Sequence, residues 1–588
     1  MPAVPRRSLR DLALAFALRQ RRRLRESEAA FILLAALVGL AAGFSTNIQS
    51  ALAHGIQELL YGVKINRLSA LGSIHHPWKL LALPLGGFVL VLIGFAARRR
   101  KREPIDVVEA NALHGGRIPF LDNLIVAAQT IVSNGAGASV GLEATYAQMG
   151  GGIASILGQV LKLRRNDLRT LVGAGAGAAI GAAFGAPLTG AFYAFEIVIG
   201  AYTPAAVAPV VAAALAAALV TRSLGVEPYL IATTGDRLIT LGDYLVYAVL
   251  GLACALCGVV IMRLVTWAEG FVKSLTALRR WRPVVGGALL IPIAWASPQA
   301  LSAGHGALHL DLMLHLSIAY LGAIILLKIL ASVVSLSFGF RGGLFFASLF
   351  LGSLMGQLAA ELLAASPLHL ALDGNDAAMV GMAALSVSIV GGPMTLSLLI
   401  LEATHDFALM GVVLTASLVA SAFTREAFGY SFSTWRLHMR GAAIRSPRDI
   451  GWMHHMTAAR LMRRDPATMR NTSSIADFRM KVQLGSTSKV VLVDEGGHYH
   501  GIVPTAAAYA PTLDPLAPLA SIATLKDISL QTTSDIKAIL AIFDRVSADD
   551  LAVVDPEGQV AGVVSEKYVR RRFFEESETA LQELYGER

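Results

Sequence analysis

Ionisable residues are few inside the apolar part of the chain, and Glu143, Glu196, Lys328, Glu402 and Asp406 are the ones to weigh. Each costs free energy there unless it faces water, a partner or a pathway. Glu143 sits in GASVGLEATYAQMGGG, among glycines that leave backbone N–H groups free at a helix start. Such groups, at the positive end of the helix dipole, attract an anion or a carboxylate. A glutamate in that place can fill an anion site when ionised and leave it when protonated, which suits a gate and a proton carrier. The alternative is a carboxylate that only caps its helix. Glu196 and Glu402 each follow a proline by nine residues, in GAPLTGAFYAFE and GGPMTLSLLILE. Their repetition suggests a shared structural task, accepting backbone N–H groups of a neighbouring loop. Lys328 is expected to snorkel or to add positive potential near an anion vestibule, and His405 with Asp406 to form a solvated turn at a membrane boundary. Cys254 and Cys257 lie in an apolar stretch without further Cys or His partners nearby and read as packing residues. No zincin pair, Walker loop or nucleophile elbow occurs in a suitable context, so an enzyme is not expected.

The elements that must hold these residues belong to a membrane protein. Of 588 residues 55% are hydrophobic and 15% charged, and the mean hydropathy is +0.58; a soluble chain carries about 25% charge. Apolar segments recur at about 29–53, 77–97, 121–160, 168–199, 203–223, 241–268, 283–297, 315–336, 343–364, 378–401 and 406–427, and about 20 apolar residues span a bilayer as a helix. The stretches around Gly135–Gly152 and Gly339–Gly356 are too rich in glycine to be straight single helices. Broken helices are tolerated in a membrane where they line a cavity. The net charge of +9 owes much to an N-terminal run from Arg6 to Arg25. That run abuts the first apolar span, which points to a cytoplasmic N-terminus and to anionic lipid rather than to nucleic acid. A cleaved signal peptide is not expected. The expected organisation is a basic cytosolic segment at 1–28, a membrane domain at 29–440, a linker at 441–455, a soluble α/β region at 456–572 and a tail at 573–588.

Repetition organises both regions. Gly141 and Gly150 are nine apart, as are Gly343 and Gly352, at an offset of 202; Pro187 and Glu196 repeat as Pro393 and Glu402 at an offset of 206. Corresponding broken segments in two halves mark a transporter with its substrate site between the repeats. In the soluble region Asp494, Gly501 and Ile475 recur as Asp555, Gly562 and Ile536, each 61 residues on. Each copy reads as a helix, a strand, a turn and a second strand.

Together these residues resemble the CLC family of chloride channels and proton-coupled anion exchangers, from about residue 30 to 572. GLEAT at 141–145, followed by TYAQMGGGIAS, looks like the family's GREGP, with Glu143 as the gating glutamate. FRGGLFFASLFLG at 340–352 looks like its GGxFxP segment, so Leu344 and Phe345 inherit backbone anion binding. GYSFSTW at 429–435 resembles the helix bearing the anion-coordinating tyrosine, here Tyr430, and GAPLTGAFYAFE resembles the segment of the inner proton glutamate. The chain also departs from the pattern. EPIDV at 103–107 stands for the GSGIP loop and puts Pro104 where chloride-preferring members carry serine; a proline accompanies nitrate preference in plant members. The inner proton position is Ile197, and Leu142, Ala144 and Thr145 break the gating motif.

The soluble repeats resemble a CBS-domain pair, with Ala508 and Tyr568 where nucleotide-binding members carry an aspartate. No cofactor is implied. The resemblance thus implies an α-helical polytopic fold with a cytosolic CBS pair, a homodimer in a bacterial inner membrane, and both termini cytoplasmic. Each subunit is expected to carry chloride or nitrate by its own path, gated by Glu143. Channel and proton-coupled exchanger both remain open. A CBS-regulated magnesium channel, which would need acidic pore residues, and a sensor without transport are the readings from other classes.

Overall fold

The computed structural model describes residues 27–63, 68–74, 76–97, 104–226, 231, 239–314, 316–367, 372–439, 456–546 and 548–585. The N-terminal arginines and the linker expected at 441–455 lie outside these residues. The chain divides into two compact units, Met1–Asp449 and Ile450–Arg588.

The first unit is helical. Its helices are α1 (Glu28–Tyr61), α2 (Ala82–Ala97), α3 (Val107–Leu113), α4 (Phe120–Gly135), α5 (Glu143–Val160), α6 (Arg165–Phe184), α7 (Pro187–Tyr193), α8 (Pro204–Ser223) and α9 (Leu241–Ser274). There follow α10 (Arg282–Ala296), α11 (His305–Asp311), α12 (Ile318–Ser337), α13 (Phe345–Ala365), α14 (Gly374–Val390), α15 (Pro393–Thr404), α16 (Phe407–Ala427) and α17 (Phe432–Met439). Among the described residues seven helical stretches are long and apolar enough to cross a membrane.

Glycine and proline set where the long apolar runs break. The run 168–199 is cut by Gly185 (φ 67°) and restarted by Pro187; the run 378–401 is cut by Gly391 (φ 94°) and restarted by Pro393. A left-handed residue ends a helix cheaply only as glycine, and a proline in the first turn loses no helical hydrogen bond. The run 121–160 opens at 136–142, with Gly137 at φ 96°. Its counterpart opens at 339–344, with Gly339 at φ 97°, and not within the glycine-rich stretch beyond it, because α13 is continuous. Gly352 and Gly356 serve close packing instead of a break. A Cβ on Gly352 would lie 2.2 Å from the Gly381 carbonyl oxygen, and one on Gly150 would lie 2.2 Å from that of Gly175. The pairs α5/α6 and α13/α14 therefore touch backbone to backbone.

Glu196 and Glu402 perform the structural task expected of them, and they do so across the repeats. Glu196 accepts from the Met394 N–H (3.1 Å) and from the N–H (2.9 Å) and hydroxyl (2.7 Å) of Thr395, at the start of α15. Glu402, on α15, accepts from the Leu188 N–H (2.9 Å) and from the N–H and hydroxyl of Thr189 (both 2.7 Å), at the start of α7. Each carboxylate satisfies N–H groups that the first turn of a helix leaves without partners. Asp406 caps α16 through the Leu409 N–H at 3.1 Å, just after His405 ends α15 at φ 57°.

The second unit contains two small sheets of the same design. In the first, β1 (Thr468–Arg470) runs parallel to β2 (Lys489–Val493), which pairs antiparallel with β3 (Tyr499–Pro504); in the second, β4 (Leu530–Gln531), β5 (Asp550–Val554) and β6 (Val560–Ser565) repeat that order. Register shifts fall at Leu492/Val493 and at Val553/Val554, matching positions of the two copies. The strands β1 and β4 escape the sequence reading because they are three and two residues long. Helices Ile475–Lys481 and Ile536–Val546 precede the hairpins as expected. The turn before β3 is fastened by Asp494, whose carboxyl is held below the usual range by the His498 N–H and imidazole. The final helix, Glu566–Tyr585, runs through residue 572, so residues 573–585 of the segment expected as a separate tail continue it.

Replacing Glu402 or Glu196 with alanine should each cost about 1.5–3 kcal/mol, the worth of hydrogen bonds to a charged group. Thermal unfolding of the purified protein in detergent should show both variants melting below the parent; an unchanged midpoint for either would contradict the crossed capping.

Candidate anion pathway

Two broken helices start side by side. Glu143 opens α5 and Phe345 opens α13, and the segments leading into them form an antiparallel bridge. The Gly141 N–H donates to the Gly343 carbonyl at 2.9 Å, and the Gly343 N–H donates back at 3.4 Å. These glycines are equivalent by the offset of 202, so a local two-fold relates the repeats at this point. A second matched pair flanks it: the Ser139 N–H donates to Ser335 Oγ and the Arg341 N–H donates to Ser133 Oγ, both at 3.0 Å. The first-turn N–H groups of α5 and α13 thereby face a shared region in which two helix dipoles add.

Arg341 at that junction donates from its guanidinium to Gln129 Oε1 at 3.3 Å, and the carboxylate there is Glu143. It is 2% exposed, and its carboxylate folds back over Gly141, where a Cβ would stand 2.0 Å from Oε2. Oε1 lies 4.0 Å from His305 Nε2. Leu344 and Phe345 are buried at the start of α13. The Phe345 ring stands 5.4 Å from that of Phe184 and 6.3 Å from that of Tyr193. Tyr193 is buried too, and the carboxylates near enough to act on its hydroxyl are Asp106 and Glu143. Sequence reasoning missed Tyr193 and His305, because a tyrosine in an apolar helix and a histidine in SAGHGALHL carry no motif; only their contacts distinguish them.

Pro104 does not join this set. It has no N–H to give, and the next one, of Ile105, donates to Asp122 Oδ2 at 3.2 Å. The start of α3 is occupied by its own Asp106, whose Oδ1 accepts from the Val108 N–H at 2.9 Å. The backbone N–H groups of Ile105 and Val108, next to Pro104, thus make internal hydrogen bonds.

Ile197 and Tyr430 lie together elsewhere, on a cavity of about 400 Å³ lined also by Val108, Glu196 and Gly391. Ile197 belongs to a wide π-type turn, Ala194–Ile199, that continues α7. The Tyr430 hydroxyl meets His438 Nδ1 at 3.3 Å, and its ring packs 4.7 Å from the His438 ring and 5.3 Å from that of Trp435. Of the two expectations for Lys328 the structure removes snorkelling, since the side chain is fully buried. Its ammonium donates to the carbonyls of Ser302 (2.7 Å) and Ala300 (3.3 Å), fixing the segment that leads into His305.

The comparisons agree with this architecture. The family model described as voltage gated chloride channel matches residues 85–425, and the chain belongs to that family. The voltage-gated ClC-type chloride channel ClcB of Salmonella typhimurium is 26% identical over 408 residues, covering 67% of this chain and 95% of the relative. Two solved structures share the fold. A slow cyanobacterial Cl-/H+ antiporter superposes with a TM-score of 0.60 at 21% identity, over 70% of this chain and 98% of its own. A eukaryotic CLC transporter does so with a TM-score of 0.59 at 18% identity, over 91% of this chain and 97% of its own, and so reaches into the C-terminal unit. The chain is therefore a multi-pass membrane protein of anion transport, with a helical CLC domain followed by a unit of two like three-stranded sheets, and not an enzyme.

Gly141→Ala should push the Glu143 carboxylate off its seat without removing its charge, since the new Cβ would overlap Oε2. If this seat is the closed gate, anion flux at neutral pH should rise toward that of the parent at low pH. Flux unchanged at both pH values would show that the seat does not obstruct the path.

Proposed function

We propose that the protein carries small monovalent anions, chloride foremost, along a path that each subunit of a homodimer holds for itself. The path runs from the cavity at Ile197 and Tyr430, past Phe345 and Tyr193, to Glu143. The observation that carries this reading is the burial of the Glu143 carboxylate at the paired starts of α5 and α13. First-turn N–H groups of two helices offer a halide partial positive charge at the place where the carboxylate lies.

The physical steps follow from that site. An anion entering sheds water and takes N–H groups of Leu344 and Phe345 in exchange, with partial charges rather than a full counter-charge, so it binds and still leaves. The ionised Glu143 competes for the neighbouring N–H groups of α5. Protonation removes its charge, weakens its hold and opens the site. Tyr430 offers a hydroxyl at the cavity end. The protein lies in a bacterial inner membrane with both termini in the cytoplasm, and the CBS-type pair supports the dimer without a bound cofactor.

Proton coupling is the finer question. Ile197 faces the cavity and cannot relay a proton, so an exchanger must pass protons to Glu143 by water in the cavity of about 400 Å³. Without such water the protein is a channel.

Efflux from proteoliposomes into chloride, nitrate or fluoride, recorded together with external pH, separates the two. Glu143→Gln should carry anions at a rate independent of pH and should abolish any proton movement. Retained pH dependence in that variant would remove Glu143 from the gate.

A further inference from the structure

The gate glutamate has an imidazole beside it that the proposed mechanism leaves unused. His305 is the first residue of α11 and follows Gly304, whose φ of 103° turns the chain into the helix. Its Nε2 is 4.0 Å from Glu143 Oε1, and the two side chains differ in access, at 22% exposed for His305 and 3% for Glu143. Solvent therefore meets the imidazole before it meets the carboxylate. The ring is held in place: it stacks on Phe346, with centroids 3.4 Å apart. Behind it the chain is anchored at Ser302, where Lys328 holds the carbonyl at 2.7 Å and the N–H donates to the Gly137 carbonyl at 3.0 Å.

Other ionisable groups around this pair are few. On its own helix α11 carries His309 and Asp311, and Gln299 donates to Asp311 Oδ1 at 3.0 Å. Of the elements packed on α11, the turn Leu68–Ala70 has no ionisable residue and α13 has only Glu361, four turns from the start of that helix. From α12 comes Lys328, bound to carbonyls, the segment leading into α13 brings Arg341, whose guanidinium donates to Gln129 Oε1 at 3.3 Å, and Asp106 caps the start of α3.

We infer that His305 is the proton donor to Glu143. The imidazole takes a proton from hydronium at Nε2, leaving water, and passes it to Oε1 as the side chains close the 4.0 Å between them: the N–H bond breaks, its electron pair stays on the ring, and the O–H bond forms. An ion pair thereby becomes a neutral pair, the form that a buried, low-dielectric site favours. The neutral carboxyl then yields its place to the anion. This rests on the reading of Glu143 as the gate. A histidine suits the task because its charge changes near neutral pH.

The test is anion efflux from liposomes containing the full chain, as a function of external pH. His305→Gln keeps a polar group in place but cannot carry the proton. Its flux should fall about tenfold or more above pH 7, general acid transfer being worth about 10² or more. It should recover at low pH, where hydronium reaches Glu143 directly. His305→Ala should regain flux when imidazole is added to the buffer. A pH profile of His305→Gln that matches the parent, or no rescue of His305→Ala, would overturn the assignment. Each His305 change is also made on Glu143→Gln, and the assignment is judged on whichever of Gln, Ala or Asn leaves the pH-independent flux of that background intact. If Glu143→Gln itself keeps its pH dependence, the gate reading fails. If only the His305 variants behave as the parent, the donor assignment fails alone.

Discussion

Two backbone hydrogen bonds between Gly141 and Gly343 fix the membrane unit at its centre. Because the paired residues are equivalent in the two repeats, whatever one broken helix presents to the junction the other presents as well. An anion in a bilayer must recover the hydration it loses, and no single helix terminus recovers enough of it. Two termini brought side by side do more, and the crossing beside them is close. Gly342 shows how tight the crossing is, since a Cβ there would lie 2.5 Å from the Val140 side chain.

Around that junction the molecule separates two demands. Positive potential comes from main-chain dipoles, which cannot be titrated, while negative charge is concentrated on Glu143, which can. The lining supplied by Phe184, Phe345 and Phe346 keeps the surroundings apolar. A change of protonation at one carboxylate is then felt with little competition from mobile counter-charges. Lys328 fits this scheme because its carbonyl partners occupy it, leaving its charge to organise a loop rather than to trap an anion.

Much of this was legible in the sequence and the reasons are specific. Glu143, Glu196 and Glu402 were conspicuous because carboxylates are rare among apolar residues, and their spacing repeated. The breaks at Gly185–Pro187 and Gly391–Pro393 went unread inside runs taken as continuous, because their apolar composition does not change across them. The glycines of α13 could not be sorted in the same way, for a glycine that ends a helix and one that lets two helices touch look alike until the partner is known. Tyr193 and His305 stayed hidden because their significance lies in what other segments bring to them.

The crossed carboxylates have a consequence for the chain as a whole. Glu196 completes a helix start of the second repeat, and Glu402 completes one of the first. Each half thus exports one acceptor and imports another, like two signatories who each hold the other's deed. Neither repeat is a finished folding unit, and during synthesis the first must wait in the membrane with α7 uncapped until the residues near 402 have emerged. The two halves can drift apart in sequence over most of their length, but these four helix ends bind them to a common fate.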